Sequence, residues 1–343
     1  DGKVESRQAA TFTEAFSDAF VKAAARDDRV VAITAAMAKG TGLEAFRAAH
    51  PDRLYDVGIA EEHAVTFAAG LAAGGLKPVV AIYSTFMQRA VDQVFHDVAL
   101  PRLPVVFALD RAGAVGEDGE THQGIYDIAL FRSMPNMTIL APASAAELGL
   151  CLEWALASGA PAMIRYPKTR CPREEEAFSE PIRAGRGVFV RRSGADTLIV
   201  AMGGLVAPAA EASDALLRAA SSGGAAPGAA GADVYALRFV APIDEEAFLE
   251  AAAPYRRVLV LEEGVVAGGL GEGIAALAAR RLPRVSVRAF GFAAEPEAQA
   301  SRDELLDRAG FSASGISALV REAEAADSSS GRIYVFRSTE AGA

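Results

Sequence analysis

Five short, unbroken apolar runs punctuate the first half of the chain, at residues 29–35, 78–83, 104–110, 137–141 and 162–166. They are short and continuous rather than alternating, which is the pattern of strands buried on both faces. Helical patterns separate them, notably residues 13–25, 61–73 and 143–157. Strand and helix taking turns in this way implies a parallel sheet with helices on both faces. Residues 168–187 break the rhythm with Pro172, Pro181, the acidic run Glu174-Glu175-Glu176, and Gly185 and Gly187. That stretch reads as an interdomain linker. Alternation then resumes, with strands expected at 197–201, 234–237, 257–261 and 285–289. The expected fold class is α/β, with two consecutive parallel or mixed-sheet domains. They are placed at 8–168 and 188–323, with a linker at 169–187 and a tail at 324–343.

Composition narrows the partners. With 51% hydrophobic residues and 23% charged over 343 residues, the chain has enough apolar material for sizeable cores. A net charge of −10 argues against a nucleic-acid binder and against attachment to an anionic membrane. No run reaches the roughly 18 apolar residues of a membrane-spanning helix, and residues 1–5 lack the apolar stretch of a signal peptide. The two cysteines, Cys151 and Cys171, suit buried, idle thiols in a reducing compartment. Residues 221–231, rich in Ser, Gly, Ala and Pro, read as a surface loop. The tail turns polar from residue 325 and then shows an apolar patch, Ile333-Tyr334-Val335-Phe336, that this reading does not explain.

Ionisable residues gather where open α/β sheets place their ligands, at strand ends. The first cluster is Asp56-Val57-Gly58-Ile59-Ala60-Glu61-Glu62-His63, opening an Ala- and Gly-rich helix. Acidic residues there also favour the helix dipole without any further role. The second is Tyr83-Ser84-Thr85-Phe86-Met87-Gln88-Arg89, directly after a strand. Its aromatic ring either stacks on a flat ligand or fills core. Asp92 and His96 follow at the i, i+4 spacing of a surface pair. The third is Asp110-Arg111-Ala112-Gly113 with the Gly-punctuated stretch from Gly116 to Gly124, which holds His122, one of four histidines. A loop histidine beside carboxylates is either a proton-transfer group or a solvated side chain. Gly268-Gly269-Leu270-Gly271-Glu272-Gly273 invites a dinucleotide reading, but a glycine fingerprint without its wider βαβ context is weak and is rejected.

Taken together these strings resemble the 1-deoxy-D-xylulose-5-phosphate synthases, a transketolase-like family of thiamine diphosphate enzymes. The strings are Ile33-Thr34-Ala35-Ala36-Met37, Gly40-Thr41-Gly42, Asp56 to Glu61, His63 to Gly70, Tyr83-Ser84-Thr85-Phe86, Gln88-Arg89-Ala90, Asp110 to Gly113, Asp118-Gly119 and Thr121 to Gly124. The resemblance spans roughly residues 10 to 320. Transketolases proper and the β subunits of pyruvate dehydrogenase share the acidic helix, but not usually the Tyr-Ser-Thr-Phe and Asp-Arg-Ala-Gly strings.

The resemblance implies a pyrimidine-binding domain followed by a transketolase C-terminal domain. It places Glu61 at N1′ of the cofactor's aminopyrimidine, where a shared proton favours the imino tautomer that deprotonates the thiazolium. It implies Phe86 stacked on the pyrimidine, Ile59 lining the same pocket and Arg89 near the ring. Pyruvate and glyceraldehyde 3-phosphate would be joined to give 1-deoxy-D-xylulose 5-phosphate and carbon dioxide, feeding isoprenoid and thiamine biosynthesis. Arg111 and Arg165 match the family's arginines for an acceptor phosphate. Tyr83, Asp118 and His122 match its polar network, with His122 handling protons during carbon–carbon bond formation. A cytoplasmic homodimer is implied, or a plastid enzyme in a plant or alga.

One half of such a site is not found in this sequence. The family holds its diphosphate through Mg²⁺ with a Gly-Asp-Gly motif and a later asparagine, oxygen ligands that suit a hard cation. This chain has no Gly-Asp-Gly and a single asparagine, Asn136, in a Met-Pro-Asn-Met turn. The metal ligands are therefore expected in a preceding domain or separate subunit, and the chain is expected to be inactive alone. Asp1 in place of an initiator methionine favours a piece of a longer protein over a natural small subunit. A non-catalytic binding or assembly module, and a small subunit of a transketolase or 2-oxoacid dehydrogenase, are the competing readings.

Overall fold

The computed structural model describes residues 9–223, 231–295 and 299–327. The first helix, Phe12–Arg26, opens on a capping box in which Thr11 and Glu14 satisfy each other's backbone N–H groups. Its Phe12, Phe16 and Phe20 recur every four residues and are fully buried. Phe20 stacks on Phe46 at 4.6 Å and Phe16 on Tyr166 at 5.7 Å, so one face of the helix seals one side of the first sheet. On the sheet's other side the helix Glu61–Ala73 presents Ala64, Val65, Ala68, Ala69 and Ala72, small side chains that allow close approach.

The strands are β1 (Val30–Thr34), β2 (Leu54–Asp56), β3 (Lys77–Tyr83), β4 (Val106–Asp110), β5 (Thr138–Leu140), β6 (Ala162–Arg165), β7 (Val188–Arg191), β8 (Thr197–Met202), β9 (Asp233–Leu237), β10 (Phe239–Ala241), β11 (Arg257–Val265) and β12 (Ser286–Phe292). They form a seven-stranded sheet in the order β10-β5-β6-β4-β3-β1-β2 and a five-stranded sheet in the order β12-β11-β8-β9-β7. Both are parallel except at one edge, where β10 and β7 pair antiparallel. The α/β class and its mixed sheets are as the sequence implied. The continuous apolar runs became central strands with every residue of β1, β4, β8 and β9 buried.

One strand crosses the expected division of the chain. Residues 239–241 follow β9 directly, yet they join the first sheet beside β5 rather than extending the second. The stretch read as a linker is likewise packed. Phe178 is buried, Thr11 bridges to Arg170, and Cys171 N donates to Ala10 O. Arg238, immediately before β10, explains why. It is 1% exposed. Its Nε donates to Glu147 Oε1 at 2.6 Å, and its Nη atoms donate to the carbonyls of Ala177, Phe178, Glu180 and Pro181. Glu147 also accepts from Ala143 N, and burial pushes its carboxyl above the usual range.

The helix Val206–Gly223 runs into the stretch expected to be a loop, and residues 224–230 lie outside the described ones, as does the Ile333–Phe336 patch. Both cysteines are buried and free. No helix among the described residues is long and apolar enough to cross a membrane. Removing one partner of a buried ion pair leaves an uncompensated charge, at a cost of about 3–5 kcal/mol. Arg238→Met is therefore expected to lower unfolding stability by about that amount, read as a fall in the urea midpoint at unchanged slope.

Candidate active site

The polar residues singled out in the sequence lie at the carboxyl ends of parallel strands, the edge where open α/β sheets bind ligands. Tyr83 ends β3 and is in register with Asp110, which ends β4. Asp56 ends β2 and is in register with Thr34. Asp56 Oδ1 accepts from Ala36 N at 2.8 Å and Gly58 N at 3.1 Å, tying two strand ends together. Gly58 takes φ +73°, a left-handed conformation that glycine adopts without steric cost. This turn delivers Glu61 as the first residue of its helix, 2% exposed. Glu61 Oε2 accepts from Arg89 Nη1 at 3.1 Å, while Oε1 takes no hydrogen bond among the described residues. Arg89 is half exposed.

Phe86 lies one turn beyond Tyr83, with ring centroids 5.7 Å apart and planes 20° from parallel. Its edge meets the His122 ring at 5.3 Å and 72°. The Arg111 guanidinium lies 3.7 Å from the Tyr83 ring centroid. Arg111 Nη1 donates to Gly40 O and to Asp110 Oδ1. Gly40 has no room for a side chain, since a Cβ would come within 1.7 Å of the Tyr83 hydroxyl. Arg111 itself has φ +61°, an unfavourable conformation for a long side chain that these three contacts hold in place. Burial pushes the Tyr83 phenol up. Asp118 accepts from Lys168 at 2.8 Å, and that ammonium holds its carboxyl below the usual range. The structure thus gathers Tyr83, Phe86, Arg111 and His122 into one contact cluster, with Glu61 and Arg89 paired on the helix start.

Two residues stand apart. Ile59 is 78% exposed, so it lines no closed pocket within this chain. Arg165 is buried, and its guanidinium is taken up by Asp127 (2.8 and 3.2 Å) and by the carbonyl of Glu263 (2.9 Å). Here it secures the seam between the two sheets and is not presented beside Arg111. Asp92 and His96 form an exposed pair at 3.0 Å, as their spacing implied.

Sequence reading missed Glu262 and Glu263. Their signal was visible: two consecutive carboxylates close the apolar run from Val258 to Leu261. A register slip in β11 between Leu261 and Val265 accompanies their burial, and both lie inside. Glu262 accepts from Leu270 N (2.7 Å) and Gly271 N (3.1 Å), the first amides of the helix Leu270–Arg281. Burial raises its pKa to about 7 despite those donors. A Cβ on Gly269 would lie 2.4 Å from the Glu262 carboxylate, which accounts for a glycine of the string that resembles a dinucleotide fingerprint.

Comparisons with known proteins identify the two domains that carry these residues. Residues 8–173 match the transketolase pyrimidine-binding domain and residues 185–316 the transketolase C-terminal domain. The chain therefore belongs to the transketolase family, as a pyrimidine-binding domain followed by a C-terminal domain. Within that class its sequence is similar to the 1-deoxy-D-xylulose-5-phosphate synthases. It is 51% identical over 319 residues to that of Treponema pallidum (strain Nichols), covering 93% of this chain and 49% of the relative. It is 45% identical to that of Heliobacterium modesticaldum over 322 residues, covering 93% and 48%. The chain spans about half the length of the curated relatives it matches. Among solved structures, a split-gene transketolase described as an inactive β4 tetramer superimposes with a TM-score of 0.81 at 29% identity, covering 92% of this chain and 99% of that one. A transketolase from Pichia stipitis gives 0.77 at 20% identity, covering 96% and 48%, a likeness of fold.

Asp110 gives the site a pH signature. It is fully buried, and burial outweighs the Arg111 charge and the Thr13 hydroxyl that donates to it at 2.7 Å, raising its pKa to about 6. A folded-state pKa above the unfolded value means that stability from the protonated form is fully present below about pH 4 and is lost as pH rises through about 6. The loss amounts to about 3 kcal/mol. Asp110→Asn is expected to flatten the decline in melting temperature between about pH 4 and 7, measured by scanning calorimetry.

Proposed function

We propose that this chain is the pyrimidine-binding and C-terminal portion of a 1-deoxy-D-xylulose-5-phosphate synthase. Completed by a diphosphate-binding portion, it would condense pyruvate with glyceraldehyde 3-phosphate, releasing carbon dioxide. The observation that carries this reading is Glu61: a buried carboxylate at a helix start, with one oxygen on Arg89 and the other without a hydrogen bond among the described residues.

The residues present fit one half of thiamine diphosphate. Glu61 would meet the aminopyrimidine nitrogen with Oε1, Phe86 would stack on the ring, and Arg89 would keep the Glu61 carboxylate oriented. Ile59, exposed in this chain, would be covered by the bound ring or by the completing portion. When bound, thiamine diphosphate supplies a stabilised carbanion equivalent for decarboxylation and carbon–carbon bond formation. Mg²⁺ and the diphosphate would be held by the completing portion through oxygen ligands.

On the acceptor side, Arg111 offers a planar cation for the phosphate of glyceraldehyde 3-phosphate. Tyr83 and the Asp110 carboxylate keep it in place. His122, at the edge of Phe86, moves a proton to the acceptor's carbonyl oxygen, and Asp118 orients the acceptor's hydroxyl group. Arg165 contributes from behind, by fixing Asp127 and the Glu263 main chain. A homodimer in the cytoplasm, or in a plastid, is part of the same reading.

Mixing this chain with a separately produced diphosphate-binding portion, thiamine diphosphate and Mg²⁺ is expected to restore synthase activity that neither part has alone. Glu61→Gln is expected to lower the restored kcat by about 10²–10⁴-fold. A folded pair that turns over neither substrate would reject the proposal, and an unaffected Glu61→Ala would favour a non-catalytic assembly module. The split-gene neighbour, 99% of which is covered, supports a second reading as a natural small subunit. Glyceraldehyde 3-phosphate tested against lipoamide and against sugar phosphate donors separates a synthase from a dehydrogenase or transketolase subunit. Without its completing portion the chain is expected to self-associate through exposed apolar surface that includes Ile59. A monodisperse monomer at every concentration in light scattering would count against that.

A further inference from the structure

The loop that carries Asp118 and His122 is held at its base by its own chain. Gly113 and Gly124 exchange N–H···O bonds of 2.7 and 2.8 Å, and Val115 N donates to Gln123 Oε1. From the first domain it is touched at Asp118 by Lys168 and at the Thr121 carbonyl by the Thr85 hydroxyl. The strongest grip comes from the other domain. Glu263 Oε1 accepts from Ala114 N at 2.8 Å, and Arg302 Nη1 donates to Ala114 O at 2.5 Å. Glu263 and Arg302 are themselves paired through both oxygens, with Nη2 to Oε2 at 2.8 Å. One ion pair therefore satisfies both main-chain groups of a single loop residue. Its side chains are 3% and 11% exposed.

The loop's glycines fit this clamp. A Cβ on Gly113 would lie 2.1 Å from Glu263 Oε1, and one on Gly116 would lie 2.6 Å from Arg302 N. Beside the pair, Gln299 Nε2 donates to Glu117 O at 2.8 Å. The ion pair engages the backbone of the loop, four residues before Asp118.

We infer that Glu263 and Arg302 are positioning residues, by which the C-terminal domain holds the 113–124 loop, and with it Asp118 and His122, at the acceptor side of the site. The catalytic part of this inference rests on the proposed reading of Asp118 and His122 as acceptor-binding groups. The holding of the loop does not.

The experiment therefore has two arms. In the first, hydrogen exchange is followed in this chain. Arg302→Met is expected to speed exchange at amides 114–122 at least about tenfold while β3 and β4 keep their protection, and Arg302→Lys is expected to recover part of it. Gln299→Ala, a milder change at an exposed side chain, is expected to loosen residues 116–119 alone. Unchanged loop exchange in Arg302→Met overturns the inference. If Arg302→Met exchanges throughout the chain, Arg302→Lys, which keeps the charge but not the paired donors, decides: loop exchange equal to that of the unsubstituted chain overturns the inference. In the second arm, on the restored enzyme, Arg302→Met is expected to raise KM for glyceraldehyde 3-phosphate about tenfold, leave KM for pyruvate unchanged, and respond to millimolar guanidinium. Equal changes in both constants, or none, overturn the catalytic part. Absence of synthase activity in the unsubstituted pair rejects the proposed function instead and leaves the first arm to decide whether the clamp holds the loop.

Discussion

At the seam between the two sheets, the Arg238 guanidinium binds the Glu147 carboxylate and four carbonyls of residues 177–181. Burying such a pair involves a desolvation penalty that its attraction only roughly offsets. What separates it from an apolar plug of equal volume is direction, since a planar fork of donors accepts few arrangements of partners. It fixes the connection between domains at the point where the chain leaves β9 and adds β10 to the neighbouring sheet. With that edge set, Val265 N reaches Ile125 O, Arg165 reaches Glu263, and Glu263 reaches Ala114. The polar residues at the carboxyl edge of the first sheet therefore owe part of their placement to the second.

The central strands were legible because burial on both faces leaves them a continuous apolar run, with polar residues such as Asp110, Thr197 and Asp233 confined to their ends. Three strands were not. β2 and β10 are three residues long, and β7 is an edge strand with three half-buried positions. For β10 the partner, β5, lies about a hundred residues earlier in the chain, so no local pattern could announce it. The packed character of residues 169–187 was hidden for the same reason, because its carbonyls are satisfied by Arg238 rather than by neighbours in sequence.

At the site, Glu61, Phe86, Tyr83, Arg111 and His122 were legible as strings, and the structure brings four of them into ring or cation contact. Arg165 was legible as an arginine at a strand end, but not its direction, which Asp127 and Glu263 decide from 38 and 98 residues away. Ile59 was legible in the same string as Glu61, but not its direction: it is 78% exposed while Glu61, two residues on, is buried.

The carboxylate of Glu262 sits at the mouth of the helix Leu270–Arg281, where a helix would otherwise offer its first amides to an anion. It is tethered by its own strand, so it competes there at the high local concentration of an intramolecular ligand. A phosphate arriving from solution would have to displace it and leave a buried acid behind. The second domain thus carries a stopper in its glycine-rich turn. The first amides of the helix are thereby engaged within the chain, though the sequence of the turn resembles a nucleotide cradle.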